Sequence, residues 1–479
     1  MLSCLGRGIR LCDGISRREV LRIGGLGFTG LAWADMLRAR AAAAPSGATR
    51  QARGRSFGKA KACILIYNYG GPSHLDTLDL KPEAPAEIRG EFQPIATSVA
   101  GTSISEHLPR LAALANRYSI IRSAGHRDND HAIGAYLALT GFSHPKNAIL
   151  GIEPPATTQD LPCLGSVISK LRSANASMFS YVTLGDLKHL GNNDSMGQVA
   201  GCLGKAYDPF SVPFVRSKVA DNQLPIDQAN GNLDLRLVAA VLGESDGESL
   251  GRRRQFLEQI ARSAPPLEVT FDVRAVDNYT QKAFDLLSSQ ASRDAFDLSK
   301  EPAAVQEAYG PTPFAKSCLL ARRLVEAGVP MVTLNSVGNR DWDTHGDNFK
   351  QLKETLLPVA DRGVSALLAD LESRGLLDET LVLWMGEMGR TPLINKGAGR
   401  DHWSFCYSLI MAGGGIRGGL VHGTSDRGAA YPALNPTSPA DIAATIYHCL
   451  GIDHHDHVLD QQGRPLVIGA GEPISPLLA

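Results

Sequence analysis

The chain has almost no net charge, no apolar run long enough to cross a bilayer, no paired or evenly spaced cysteines and no internal repeat after residue 60. Each lack closes a class of function. A formal charge of -1 over 479 residues leaves no basic surface of the kind that holds nucleic acid. The first 44 residues carry an excess of positive charge, so the remainder of the chain is near -5, and nucleic-acid binding is excluded further. The apolar run from Ile23 to Leu37 is broken by Asp35 and is too short for a spanning helix. Cys4 and Cys12 lie in the N-terminal segment. Cys63, Cys163, Cys202, Cys318, Cys406 and Cys449 form no C-x-x-C pair, which excludes a zinc ribbon and a disulfide scaffold. Cys63, Cys318 and Cys406 lie in apolar runs and read as small buried hydrophobes. With 43% apolar and 20% charged residues the composition is that of a globular protein, long enough for one large α/β domain with insertions or for two domains.

What is present begins with an address. Ser16-Arg17-Arg18-Glu19-Val20-Leu21 is a twin-arginine signature, followed by the mildly apolar run and by Ala41 to Pro45, small enough for a signal peptidase. A signal peptide over residues 1–44 and a linker over 45–60 are therefore expected. The signature implies export by the twin-arginine route to the periplasm or cell envelope, already folded and with no stable membrane span after cleavage.

Residues 61–479 alternate between strand and helix patterns. Ala62 to Tyr67 is a continuous apolar run ended by Gly70-Gly71-Pro72, the pattern of a strand buried on both faces. Ser119 to Arg122, Ser180 to Leu184, Met331 to Leu334, Thr380 to Met385 and Tyr407 to Met411 are further strand candidates. The clearest helix runs from Asn348 to Ser373, stopped by Gly375 and expected to kink at Pro358. This alternation predicts an α/β fold, a mostly parallel sheet covered by helices on both faces. The segment from about 188 to 265 shows no strong strand and reads as an inserted cap.

Polar residues concentrate after the strands, where open parallel sheets bind their ligands. Val329 to Leu334 empties into Asp341-Trp342-Asp343-Thr344-His345, and Leu381 to Met385 delivers Glu387, beside which Gly399-Arg400-Asp401-His402-Trp403 returns. Carboxylates and imidazoles from separate strand ends are what a divalent cation needs. Asp341 and His345, four apart, can share one ion. Asp76 with His74 follows the first strand. His126 and His131 flank Asp128, Asn129 and Asp130 ahead of the apolar helix from Ala132 to Leu139, whose N-terminus suits a phosphate or sulfate. The His454-His455-Asp456-His457 cluster lies in a terminal loop and is left out of the site.

Together these motifs resemble the alkaline phosphatase-like superfamily, which includes sulfatases, phosphopentomutases and cofactor-independent phosphoglycerate mutases. Asp341 and His345 match its Asp-x-x-x-His pair, Gly386-Glu387-Met388-Gly389 stands in place of Asp-His-Gly, and Asp401-His402 matches its returning histidine. More narrowly, Gly70 to Thr77, His126-x-x-x-x-His131, Leu139-Thr140-Gly141, Asp343 to Gly346 and Gly386 to Pro392 resemble the exported, sulfatase-related domain of unknown function 1501. The resemblance implies an alkaline phosphatase-like fold and a metal-dependent hydrolase of phosphate or sulfate esters with an anionic ester substrate. One or two divalent ions (zinc, calcium or manganese) are expected, one on Asp341, His345 and His402, a second or shared one on Glu387 and Asp76. His131 falls where sulfatases carry the residue matured to formylglycine, so His131 or His126 is expected as nucleophile or general base, and Arg390 or Arg400 as anion clamp. The alternative is a non-catalytic protein on the same fold that binds anionic glycans or a partner protein. Protein partners are not identified by the sequence.

Overall fold

The computed structural model of the chain describes residues 54–144, 156–172, 178–185, 197–212, 289–335 and 342–479. The expected signal peptide, most of the expected cap and Asp341 lie outside them. The fold is that of the unit Ser56–Ala479.

Eight strands form one mixed sheet: β1 (Ala62–Tyr67), β2 (Tyr118–Ala124), β3 (Val182–Leu184), β4 (Phe210–Val212), β5 (Met331–Asn335), β6 (Thr380–Met385), β7 (Tyr407–Ala412) and β8 (Val421–His422). Their spatial order is β8-β2-β7-β6-β1-β5-β3-β4. β1 runs parallel to β5 and β6, and β3 parallel to β4 and β5. Only β7 opposes its neighbours, β2 and β6. Every residue of β1 and β6 is buried. Ile64, Ile66, Val382 and Trp384 face one apolar layer, whereas Cys63, Leu65, Leu381 and Leu383 face the other. That is the two-residue period of a strand covered on both sides, and the predicted architecture is present.

Helices supply the covering. α3 (Pro313–Glu326) and α4 (Leu357–Ser373) form one layer, and α1 (His131–Thr140), α2 (Leu164–Leu171) and α5 (Pro439–Cys449) the other. The helix expected from Asn348 to Ser373 is present as consecutive helical segments, with a change of pitch just before the predicted kink. A wider π-turn, Leu352–Leu356, precedes Pro358, which sits in the first turn of α4 where its missing N–H is not needed. Gly375, at φ 69°, stops the helix as expected, with Leu376 N–H returning to Leu371 O at 2.8 Å.

Two boundaries differ from expectation. Phe210–Val212, inside the segment read as a cap, is the outer strand of the sheet. Three residues are too few to show a period. The last part of the expected linker is anchored: Gly58 N–H donates to His448 O at 3.1 Å and Ala60 N–H to Cys449 O at 2.9 Å. All six cysteines of the described residues are buried and free. No helix among the described residues is long and apolar enough to cross a membrane.

Candidate functional site

The parallel strands β1, β5 and β6 end side by side, and each empties into a loop carrying a polar side chain. After β1 the chain turns at Gly70 and Gly71, with φ of 111° and 78°. A Cβ on Gly70 would stand 2.4 Å from Asp343 N, so only glycine lets the β5 loop lie this close. After β6 comes Glu387, fully buried, whose Oε1 accepts Gly70 N–H at 2.8 Å. His131 opens α1, and the helix entry is fixed by the Asp130 carboxylate accepting Ala132 N–H at 2.9 Å. His402 returns in a short antiparallel ribbon opposite Arg390.

Three imidazoles converge on one carboxylate, Asp343. His131 Nε2 lies 3.2 Å from Asp343 Oδ2, His345 Nε2 3.0 Å from Oδ1, and His402 Nε2 3.3 Å from Oδ1. Each ring is held from behind through its other nitrogen: His131 Nδ1 by Glu387 Oε1 at 2.6 Å, His345 Nδ1 by Asp401 Oδ1 at 2.7 Å, and His402 Nδ1 by Asn129 O at 3.2 Å. An acceptor behind Nδ1 places the proton there and leaves Nε2 facing inward, the arrangement that prepares a histidine for a metal. One donor atom each from His131, Asp343 and His402 lies within 4.8 Å of the others.

In the metal-free chain the electrostatics add a second proton to His131, at Nε2, which a metal would displace. Burial pulls the His131 pKa down, but the carboxylates of Asp343 and Glu387 on its two sides outweigh this and hold it at about 9. Burial raises the Asp343 pKa, and the facing His131 imidazole, the His402 hydrogen bond and the Arg390 charge bring it far below the ordinary carboxylate range. Several buried atoms here have no aligned hydrogen-bond partner: His131 Nε2, Glu387 Oε2 and both side-chain atoms of Asn68. The 3.2 Å contact of His131 Nε2 with Asp343 is close enough for attraction yet poorly directed for a hydrogen bond. The orphaned His131 Nε2, on the inner side of the trio, asks for a ligand, and imidazole with carboxylate is a donor set that fits a transition metal or zinc better than calcium, which takes oxygen.

The residues singled out in the sequence divide into two groups. His131, His345, His402 and Glu387 meet, but with roles exchanged. Glu387 reaches the centre through His131, and His131, expected as nucleophile or base, presents Nε2 to the metal-compatible trio. Asp343 is the acid of this motif that stands at the centre among the described residues; Asp341 lies outside them. The motif Asp341-Trp342-Asp343-Thr344-His345 contained both acids, and no spacing rule distinguished them.

His126, Asp76, Arg390 and Arg400, expected as base, metal ligand and anion clamps, have their polar atoms engaged with neighbouring protein groups. His126 Nε2–H donates to Glu387 O at 2.5 Å while its Nδ1 accepts Asp128 N–H at 3.2 Å, so both nitrogens are committed. Burial also lowers its pKa, consistent with a neutral ring. Asp76 and Arg400, both fully buried, pair at 2.7 and 3.0 Å, and Arg400 further donates to Thr391 O, Pro392 O and Ile88 O. With Ser73 Oγ and Asn348 Nδ2 also on Asp76, its oxygens are satisfied without a metal. Arg390, fully buried, grips Gly70 O, Gly71 O and Arg400 O and pairs with Asp343 Oδ1 at 2.6 Å. Neither guanidinium is free to clamp a substrate anion. A second metal-compatible group, Asp453, His454 and His455, lies in the terminal loop.

A family model described as "Protein of unknown function (DUF1501)" matches residues 60–478. No curated protein matches the chain. Among solved structures the chain is similar to a phosphonate monoester hydrolase from Silicibacter pomeroyi, with 13% identity, a TM-score of 0.39, and coverage of 88% of this chain and 76% of that one. It is also similar to a sulfatase from Pseudoalteromonas sp., with 12% identity, a TM-score of 0.39, and coverage of 87% and 72%. A lipoteichoic acid synthase from Listeria monocytogenes shows 12% identity and a TM-score of 0.33 over 87% and 76%.

Proposed function

The chain belongs to the DUF1501 family, and from its site we propose that it is an exported, metal-dependent hydrolase of phosphate or sulfate esters. The observation that carries this reading is the convergence of three Nε2 atoms on Asp343, each ring locked from behind. His131, Asp343 and His402 would hold the ion, zinc or manganese rather than calcium on the nature of the donors. A divalent ion in such a place polarises an ester oxygen and acidifies water.

The chain's own residues supply the rest. His345 is nearly half exposed, at 46%, and is oriented by Asp401. It is therefore the imidazole placed to take a proton from the attacking water and return it to the leaving alcohol. Among the described residues Arg127 and Lys396 are exposed cations on the segments that contact His402 and His345, and we assign them to the substrate anion. Arg390 keeps Asp343 ionised and fixed.

The test is a screen of the purified chain, metal-analysed after gel filtration, against aryl phosphate, phosphonate and sulfate esters. Metal-dependent turnover is expected, and His345→Ala is expected to lower kcat by on the order of 100-fold or more with the ion retained. A chain that holds its ion yet hydrolyses none of these esters would instead be a binding protein.

Export rests on the Arg17-Arg18 signature, the apolar run after it and the small residues Ala41 to Pro45. Replacing both arginines by Lys is expected to retain the full-length chain in the cytoplasm of a host with a twin-arginine translocase. Unchanged export of that variant would remove the twin-arginine assignment.

A further inference from the structure

Glu387 uses only half of its carboxylate in the contacts with Gly70 and His131. Oε1 accepts from Gly70 N–H and faces His131 Nδ1, whereas Oε2 is buried with no hydrogen-bond partner. A carboxylate oxygen left bare in the interior bears the full desolvation penalty, so a donor is needed on that side.

The sheet register shows which donors stand there. β1 pairs with β6 so that Tyr67 ends its strand opposite Met385, two residues before Glu387, and the Glu387 charge acts on its phenol. β7 opposes β6 with Ile410 opposite Trp384, so Tyr407, at the other end of β7, lies towards the end of β6 from which Glu387 follows, and the Glu387 charge acts on its phenol. Tyr67, Tyr407 and Met385 share one apolar layer. Among the described residues these are the only two tyrosines whose buried hydroxyls lack a partner. Other buried tyrosines are satisfied: Tyr118 donates to Leu111 O at 2.9 Å, and Tyr309 to Asp370 at 3.0 Å. Burial first, and the Glu387 charge next, push both phenols well above their ordinary pKa, so both remain O–H donors.

We propose that Tyr67 and Tyr407 are positioning residues of the metal centre: their hydroxyls donate to Glu387 Oε2 and fix the carboxylate whose other oxygen sets the His131 tautomer. This rests on the metal-centre reading of His131, Asp343 and His402. The chain of control runs from two phenols through Glu387 Oε2 and Oε1 to His131 Nδ1, and through the ring to Nε2. None of these hydroxyls touches substrate. A phenylalanine at either position would fill the same apolar space without the polar atom, so packing alone does not account for tyrosine at both.

Tyr67→Phe and Tyr407→Phe, made singly and together in the full chain, test this by zinc affinity in chelator competition. Each single change is expected to weaken binding about tenfold and the pair more, in line with the effect of outer partners on metal affinity. The metal-free thermal midpoint is expected to stay or rise, because an apolar ring replaces a buried hydroxyl. Tyr447→Phe, the same deletion on α5 in the same layer, is expected to leave affinity unchanged. The His131 Nδ1–H proton resonance of the metal-free chain is a second readout, expected to move in both variants. Affinity within twofold of the parent in the double variant, or an unmoved resonance, overturns the proposal. A parent chain that takes up no zinc while the resonance moves overturns the metal-centre reading and supports the positioning role.

Discussion

Asp343→Asn protein is expected to bind its divalent ion about a hundredfold more weakly than the parent chain, or worse. A tight zinc site is worth about 10–16 kcal/mol shared among four donors, so one donor accounts for about 3 kcal/mol, roughly two powers of ten. Asp343 should exceed that average, because it is the single anion of the His131, Asp343 and His402 trio. Asparagine keeps the shape and one acceptor oxygen for Arg390, so the loop should hold its place. The informative comparison is with Glu387→Gln, which retains an acceptor for His131 Nδ1–H and is expected to weaken binding by about 10- to 100-fold. If Glu387 were the direct ligand, as the sequence alone suggested, the order of the two variants would reverse. Chelator competition on both proteins therefore separates the two assignments, and turnover of any ester found should fall in the same order.

That exchange of roles marks how far the sequence could be read. β1, β5 and β6 were legible because a parallel strand buried on both faces is a continuous apolar run, and their ends locate the site from the sequence alone. His131, His345, His402 and Glu387 were legible because histidines and acids cluster after those ends. Direct ligand and supporting group were not distinguishable, because both need the same residue types. Only the register of β1 against β6, together with the left-handed turn at Gly70 and Gly71, turns Glu387 towards His131 Nδ1. Arg390 and Arg400 show the same limit. A buried guanidinium that holds loop carbonyls looks, in a sequence, like one awaiting an anion. The edge strands β4 and β8, three and two residues long, carry no period to detect, and β7 is antiparallel for reasons of connection that no local pattern records.

The proton on His131 gives metal-free stability and metal affinity opposite dependences on pH. In the folded, metal-free chain its pKa stands at about 9, above the ordinary value of about 6.5 for an unfolded histidine. A raised pKa contributes stability that is fully present below about pH 6.5 and is lost as pH climbs through about 9. The difference between those two values corresponds to roughly 3 kcal/mol, a substantial part of the stability of an ordinary domain. Asp343 stays ionised throughout this window because its own pKa is depressed. His126 and His74, whose pKa values burial lowers, are already neutral there. The thermal midpoint of the metal-free protein is therefore expected to fall between about pH 7 and 9.5. A metal must displace the same proton, so His131 alone makes affinity climb about tenfold per pH unit up to about pH 9 and then level off. The stabilisation gained on adding zinc should accordingly widen across the interval in which the metal-free protein weakens. His131→Gln is expected to flatten both trends, since the amide carries no titrating proton. A metal-free stability that is level across this window in the parent chain would mean that His131 does not hold a proton between Asp343 and Glu387, and the tautomer assigned to it would fall.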